Sequence, residues 1–330
     1  MVAIRRRQED YIEHVFAMVF REVSPIMDGV TRLQLALAAT RTGARRGLAN
    51  RVHRDGPAVL GALFDSLDRD QQLAIQHQAR ELDRRGVGAL VRGVGAYPKR
   101  LDGLAGSPVA LFCSGQVDLL EHPAVGVCGS RNVSDQGLRI AAACGEIAAG
   151  QGITSMSGYA RGVDMATHVA SLRAGGETII VLPEGIDHFR VRRDGIDAVW
   201  NEQRTLVVSQ FAPTQSWTVG GAMARNSVII GLSMALIVVE AGDKGGTLAA
   251  GSRALDLGRS VWAMQSAGMS VGNRILLERG AVAVRTRAEL ATYLAELRDT
   301  RDESDPGTTS GADRGLFDLE MTTLTASIRH

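Results

Sequence analysis

Along residues 124–284 the chain repeats one unit: an apolar, β-branched run, a glycine-rich turn carrying Arg, Lys or Asp, then an apolar pattern of helical period. The runs are AVGVCG (124–129), ITSMSG (153–158), TIIVLPEG (178–185), TLVVSQ (205–210) and ALIVVEAG (235–242), followed by SVWAM (260–264) and AVAV (281–284). Short apolar runs bounded by glycine read as buried strands, and the stretches between them are long enough for helical crossovers. Strands joined by such crossovers run parallel, so their carboxyl ends open on one edge, where α/β sheets bind ligands. Each following helix points free N–H groups and the positive end of its dipole at that edge, which favours an anion. The pattern predicts an α/β, doubly wound, mostly parallel sheet with a polyanion or nucleotide site.

Residues 1–85 carry helical periodicity without a strand pattern, in VTRLQLALAAT (30–40), PAVLGALFDSL (57–67) and DQQLAIQHQARELDRRG (70–86), the last closing on Gly86. They form a small helical domain. Its Arg41, Arg45, Arg46, Arg51 and Arg54 read as a solvated helix face. Residues 87–115 read as strand, Tyr-Pro turn, short helix and strand, opening a main domain that runs over 86–299 and ends in the helices at 271–280 and 287–299. From Thr300 the composition turns polar and disorder is expected, with LFDLEMTTLTASIRH (316–330) left as one helix or a docking peptide.

Composition narrows the classes. At 330 residues and 45% hydrophobic content, the chain has material for one large core and an accessory domain. No run reaches the roughly 18 apolar residues of a membrane span, and the start MVAIRRRQEDYIEH has no signal-peptide core, so a cytoplasmic protein is expected. Cys113, Cys128 and Cys144 are spaced for neither a disulfide framework nor a metal knuckle, and no metal or cofactor is expected. Net charge is +1, so nucleic-acid binding would have to come from a local basic patch.

The candidate chemistry sits at the strand ends. Gly129-Ser130-Arg131-Asn132 allows close backbone approach and a guanidinium fork on a phosphate. In Ser157-Gly158-Tyr159-Ala160-Arg161-Gly162-Val163-Asp164, Ser157, Gly158 and Arg161 are taken as phosphate contacts. Asp164 and His168, four apart on one helix face, read as braces for that loop, an acid–base pair being the other reading. Arg225-Asn226-Ser227 is expected to open a helix toward the ligand. Lys244-Gly245-Gly246-Thr247 offers amides and a cation to an anion, without Walker A spacing. Tyr159, Phe189 and Trp217 are the strand-end aromatics, each open to stacking or to packing.

In order along the chain, YPKRL (97–101), GSRN (129–132), SGYARGVDMATH (157–168), ETIIVLPEGID (177–187), ARNSVIIGLS (224–233), ALIVVEAGDKGGTLAAGSRALDLGR (235–259) and GNRILLERGAVAV (272–284) resemble the DNA-processing protein A family, DprA or Smf. The resemblance implies a Rossmann-like, non-enzymatic domain that binds and protects single-stranded DNA and loads a RecA-type recombinase during natural transformation or related recombination. It implies a homodimer, with DNA contacts at Arg131, Arg225, Asn226, Lys244, Gly245 and Gly246. The winged-helix domain many members carry at the C-terminus has no counterpart in the sequence. Departures from the family pattern are Ser227 for the second Arg of its Arg-Asn-Arg motif, Ala224 for Pro, Gln210 for an acidic residue, Phe189-Arg190 for Tyr-Pro and Gln265-Ser266 for Pro-Gly.

Two rivals share the general fold. A sensor for one small nucleotide would use the same edge. The phosphoribohydrolases of the lysine-decarboxylase-like family would need a Glu where Ala250 stands, and match only Gly246 and Thr247 of their signature over 242–250.

Overall fold

The structure is a computed structural model and describes residues 28–41, 47–102, 107–192, 195–266 and 268–302. Among the described residues four helices come first: α1 (Gly29–Arg41), α2 (Leu48–Asp55), α3 (Ala58–Asp65) and α4 (Arg69–Arg84). The start of α4 is fixed by a capping box, in which the Asp68 carboxylate accepts from the Gln71 amide and the Gln71 side chain accepts from the Asp68 amide. Past its end, Gly86 takes φ 71°, the left-handed turn the sequence reading expects of this glycine.

One nine-stranded sheet follows, built from β1 (Val87–Val91), β2 (Ala110–Gly115), β3 (Ala124–Cys128), β4 (Thr154–Ser157), β5 (Thr178–Val181), β6 (Thr205–Ser209), β7 (Ala235–Val238), β8 (Ser260–Met264) and β9 (Val282–Val284). Their spatial order is β1-β2-β6-β5-β4-β3-β7-β8-β9. From β6 to β9 every pairing is parallel, while β1 and β2 join the β6 edge antiparallel. The α-helices between the strands are α5 (Lys99–Asp102), α6 (Asp135–Gly150), α7 (Val163–Arg173), α8 (Val219–Leu232), α9 (Gly246–Asp256) and α10 (Val271–Glu278), and α11 (Arg287–Asp302) follows β9.

The central strands are buried on both faces, as near-continuous apolar runs require, while the edge strand β9 leaves Val282 exposed. On one face Leu33, Leu37, Ile75 and Leu82 of the first helices share a core with Val91, Phe112, Ile180 and Val207 of the sheet. Successive strands step outward from β3 to β6 on one side, and β7 to β9 lie on the other. The order therefore reverses between β3 and β7, which opens a crevice outside their carboxyl ends. The disorder expected beyond Thr300 and the peptide at 316–330 fall outside the described residues, except that α11 continues to Asp302.

Candidate nucleic-acid interface

The loop after β3 is tied to the loop after β7. Val239 and Ser130 donate backbone N–H bonds to the Cys128 carbonyl (3.0 Å) and the Glu240 carbonyl (2.9 Å). The Ser134 amide donates to the Glu240 carboxylate at 3.0 Å, as does its hydroxyl, which also accepts from the Gly137 amide (3.0 Å) and caps α6. Thr247, in the lining of the cleft, donates its hydroxyl to the Gly129 carbonyl at 3.0 Å and so braces the loop after β3. Held in this way, Arg131 and Asn132 project into solvent at the mouth of the crevice.

Asn273 of α10 shapes the other wall. Buried, it donates to the carbonyls of Val238, Val239 and Met264 at 3.1, 3.0 and 2.9 Å, and accepts from the Ala241 amide at 2.9 Å. Sequence reading missed this residue, although an Asn inside an apolar helix was its visible signal. From Ala241 the chain runs through exposed Gly242, Asp243, Lys244 and Gly245, where φ reaches 107°, into α9 at Gly246.

Arg225 corrects an expectation. Helix α8 opens at Val219, where the Thr218 hydroxyl accepts from the Gly221 amide at 2.9 Å, so Arg225 and Asn226 lie in its second turn and not at its start. Gly220 and Gly221, both weak helix formers, hid that opening turn. Arg225 is buried and donates to the Val181 carbonyl at 3.1 Å, with the Asp164 carboxylate 3.9 Å away and its own Nε unpartnered. Burial pushes its guanidinium pKa down, opposed by Asp164. Asn226 donates to the Gly246 carbonyl at 3.4 Å.

Ser157 and Gly158 are also displaced from the surface. The Ser157 hydroxyl donates to the Val127 carbonyl at 2.6 Å inside the sheet, and a Cβ on residue 158 would overlap the Arg225 guanidinium. Asp164 accepts from the Ala160 amide at 3.3 Å. His168 is buried, its Nε2 2.6 Å from the Gly158 carbonyl and its Nδ1 2.6 Å from the Thr178 hydroxyl. Because a carbonyl only accepts, Nε2 carries the proton. Burial lowers the His168 pKa, against the raising effect of the Gly158 carbonyl and Asp164. The geometry is that of an inward-facing support, with the imidazole out of reach of a substrate.

Two clefts meet over these loops. One, of about 470 Å³, lies between the β3 and β7 loops and is lined by Gly129, Arg131, Asn226, Lys244 and Gly246. The other, of about 720 Å³, lies over the ends of β4 and β5 and is lined by Arg161, Glu184 and Arg192. Arg131, Asn132, Ala160, Trp217 and Arg225 line both, so the clefts form one groove. Arg192, which sequence reading missed because it follows a structureless turn, lies over the Tyr159 ring at 4.3 Å. Tyr159 itself is buried against Phe189, with ring centroids 5.2 Å apart, and its hydroxyl donates to the Arg190 carbonyl at 3.1 Å. Trp217 is the exposed member of the three aromatics.

A family model described as DNA recombination-mediator protein A matches residues 89–295, which hold the whole groove. The chain belongs to that family. It is 36% identical over 195 residues to DNA processing protein DprA of Streptococcus pneumoniae, in an alignment that takes in 57% of this chain and 67% of that protein. Protein Smf of Escherichia coli is 34% identical over 202 residues, covering 60% of this chain and 54% of the relative, so this chain spans about half of that protein. Among solved structures, S. pneumoniae DprA aligns with TM-score 0.62 and 26% identity over 81% of this chain and 98% of that one. DprA of Helicobacter pylori, whose structure is described as showing a single-stranded DNA binding mode, aligns with TM-score 0.56 at 24% identity over 64% of this chain and 96% of that one, and supports the fold. Among the described residues, no helix is long and apolar enough to cross a membrane.

Proposed function

We propose that this family member binds single-stranded DNA in the groove at the carboxyl edge of the sheet, protects it, and hands it to a RecA-type recombinase, acting as a homodimer without catalysis of its own. One observation carries the reading: the groove is continuous across two clefts and lined by Arg131, Arg161, Arg192, Arg225 and Lys244. A row of cations along an open trough matches the regular charge of a phosphate backbone, and cationic grooves are how proteins track single strands. Arg131, Arg161 and Lys244 are the exposed cations of this row and the first candidates for phosphate contact. Arg225, with an unpartnered buried Nε, gains most from an anion lodged beside it. Ala250, at the base of the smaller cleft, offers no carboxylate for glycoside hydrolysis.

The test is fluorescence anisotropy with labelled single-stranded and duplex DNA across a salt series. Single strands bind preferentially, with affinity falling as salt rises, and Lys244→Ala flattens the log–log salt slope by about 0.7 for the phosphate that is no longer neutralised. Binding that saturates with one free nucleotide and ignores oligonucleotides would replace this reading with a nucleotide sensor.

A further inference from the structure

Among the described residues, eight large hydrophobic side chains are strongly exposed, and three of them, Trp217, Val219 and Met223, line the cleft between the β3 and β7 loops. Val219 is 68% exposed, Trp217 44% and Met223 43%. Val219 and Met223 lie four apart and share one face of α8, with Trp217 just before the capping Thr218. Apolar side chains grouped in water at a binding cleft mark a contact surface, since isolated ones would scatter over the molecule.

The same cleft is lined by Arg131 and Lys244, and the Arg131 guanidinium stands 5.8 Å from the centre of the Trp217 ring. Asp164 is the single carboxylate in the lining, and it faces the buried Arg225. A partner must therefore be anionic and must present apolar faces within reach of its charges. A DNA single strand has this character, with a phosphate and an exposed base face in every nucleotide, whereas a duplex keeps its base faces stacked inside.

Resting on the single-strand reading, we propose that Trp217, flanked by Val219 and Met223, is a base-stacking platform, and that it makes the groove select unpaired DNA. Arg131 and Lys244 hold phosphates on either side of the stacked base. Trp217 lines both clefts, so the stacked base marks the place where the strand passes from one to the other.

The decisive probe is a pair of oligonucleotides of equal length, one of thymidines and one of abasic sites with the same phosphates. Wild-type protein binds the thymidine strand more tightly. Trp217→Ala weakens that binding by about 5- to 150-fold, the range that stacking of one base spans, and leaves abasic binding nearly unchanged. Trp217→Phe restores most of the difference. Because Trp217 is exposed, its variants should melt with the wild type, and a melting curve checks that they do. Equal binding of the two strands by wild type, or an equal effect of Trp217→Ala on both, overturns the platform. If Lys244→Ala weakens binding while Trp217→Ala does nothing, the platform falls and the phosphate groove stands. If neither strand binds at low salt, both readings fall together.

Discussion

His168 sits buried under the second loop, where burial outweighs the opposing charge of Asp164, and this sets how the molecule responds to acid. Its folded pKa lies below the ordinary 6.5, chiefly through burial. Above that ordinary value the side chain is neutral in both folded and unfolded chains, and its contribution to stability is complete. Below it the unfolded chain takes up a proton that the folded chain refuses, so stability falls as pH drops, by up to about 1.4 kcal/mol per pH unit for this one group. Urea unfolding at pH 7.5 and pH 5 measures the loss. In His168→Gln, which keeps a donor for the Gly158 carbonyl and does not titrate, the acid loss should shrink by the share of this one group even if the variant starts less stable; an unchanged loss would assign the effect elsewhere. At this scale, residue type was legible and orientation was not. The motif around 157–168 announced a built loop, but Ser157 faces the sheet and Thr247 faces Gly129, because a hydroxyl near a strand end serves backbone groups as readily as a ligand.

Helix α10 shows how one element positions another. Asn273 donates through Nδ2 to carbonyls at the ends of β7 and β8 and accepts through Oδ1 from the Ala241 amide, from which the Ser270 hydroxyl also accepts at 3.2 Å, so the start of the Lys244 loop is held chiefly by the first turn of α10. Gly272 beside it admits the Gly242 and Ala241 carbonyls where a Cβ would collide. Asn273→Ala strands several buried backbone groups and is expected to cost about 2–4 kcal/mol, with reduced DNA affinity at temperatures where the variant is still folded. Thermal melting and anisotropy on the same sample check it, and a variant as stable as wild type would show that the loop holds itself. The strands from β3 to β9 and the helices between them were visible in the apolar runs, since parallel strands buried on both faces need unbroken hydrophobic stretches. The start of α8 was not, because Gly220 and Gly221 read as loop while the Thr218 cap made them helix.

Strand order belongs to the whole molecule, and the chain's local pattern does not encode it. Alternating strands and helices imply a parallel sheet, but only tertiary packing decides that β3 and β7 become neighbours and that β1 and β2 run against the rest. That decision creates the groove, since it brings Arg131 and Lys244, 113 positions apart in sequence, to one cleft. It also fixes the groove's length. The cleft at β3 and β7 carries Arg131 and Lys244, and the larger cleft over β4 and β5 adds Arg161 and Arg192 at the far side. On the proposed function, a short oligonucleotide fills the first cleft alone, whereas a longer one must also cross the second. The double variant Arg161→Ala, Arg192→Ala should therefore bind short single strands nearly as wild type does and lose affinity as the strand lengthens. For long strands the salt slope should fall by about 1.4, two phosphates at roughly 0.7 each. A length series at fixed salt decides the matter: parallel curves for the variant and wild type would mean that the second cleft lies off the path of the strand, and that the groove ends at Trp217.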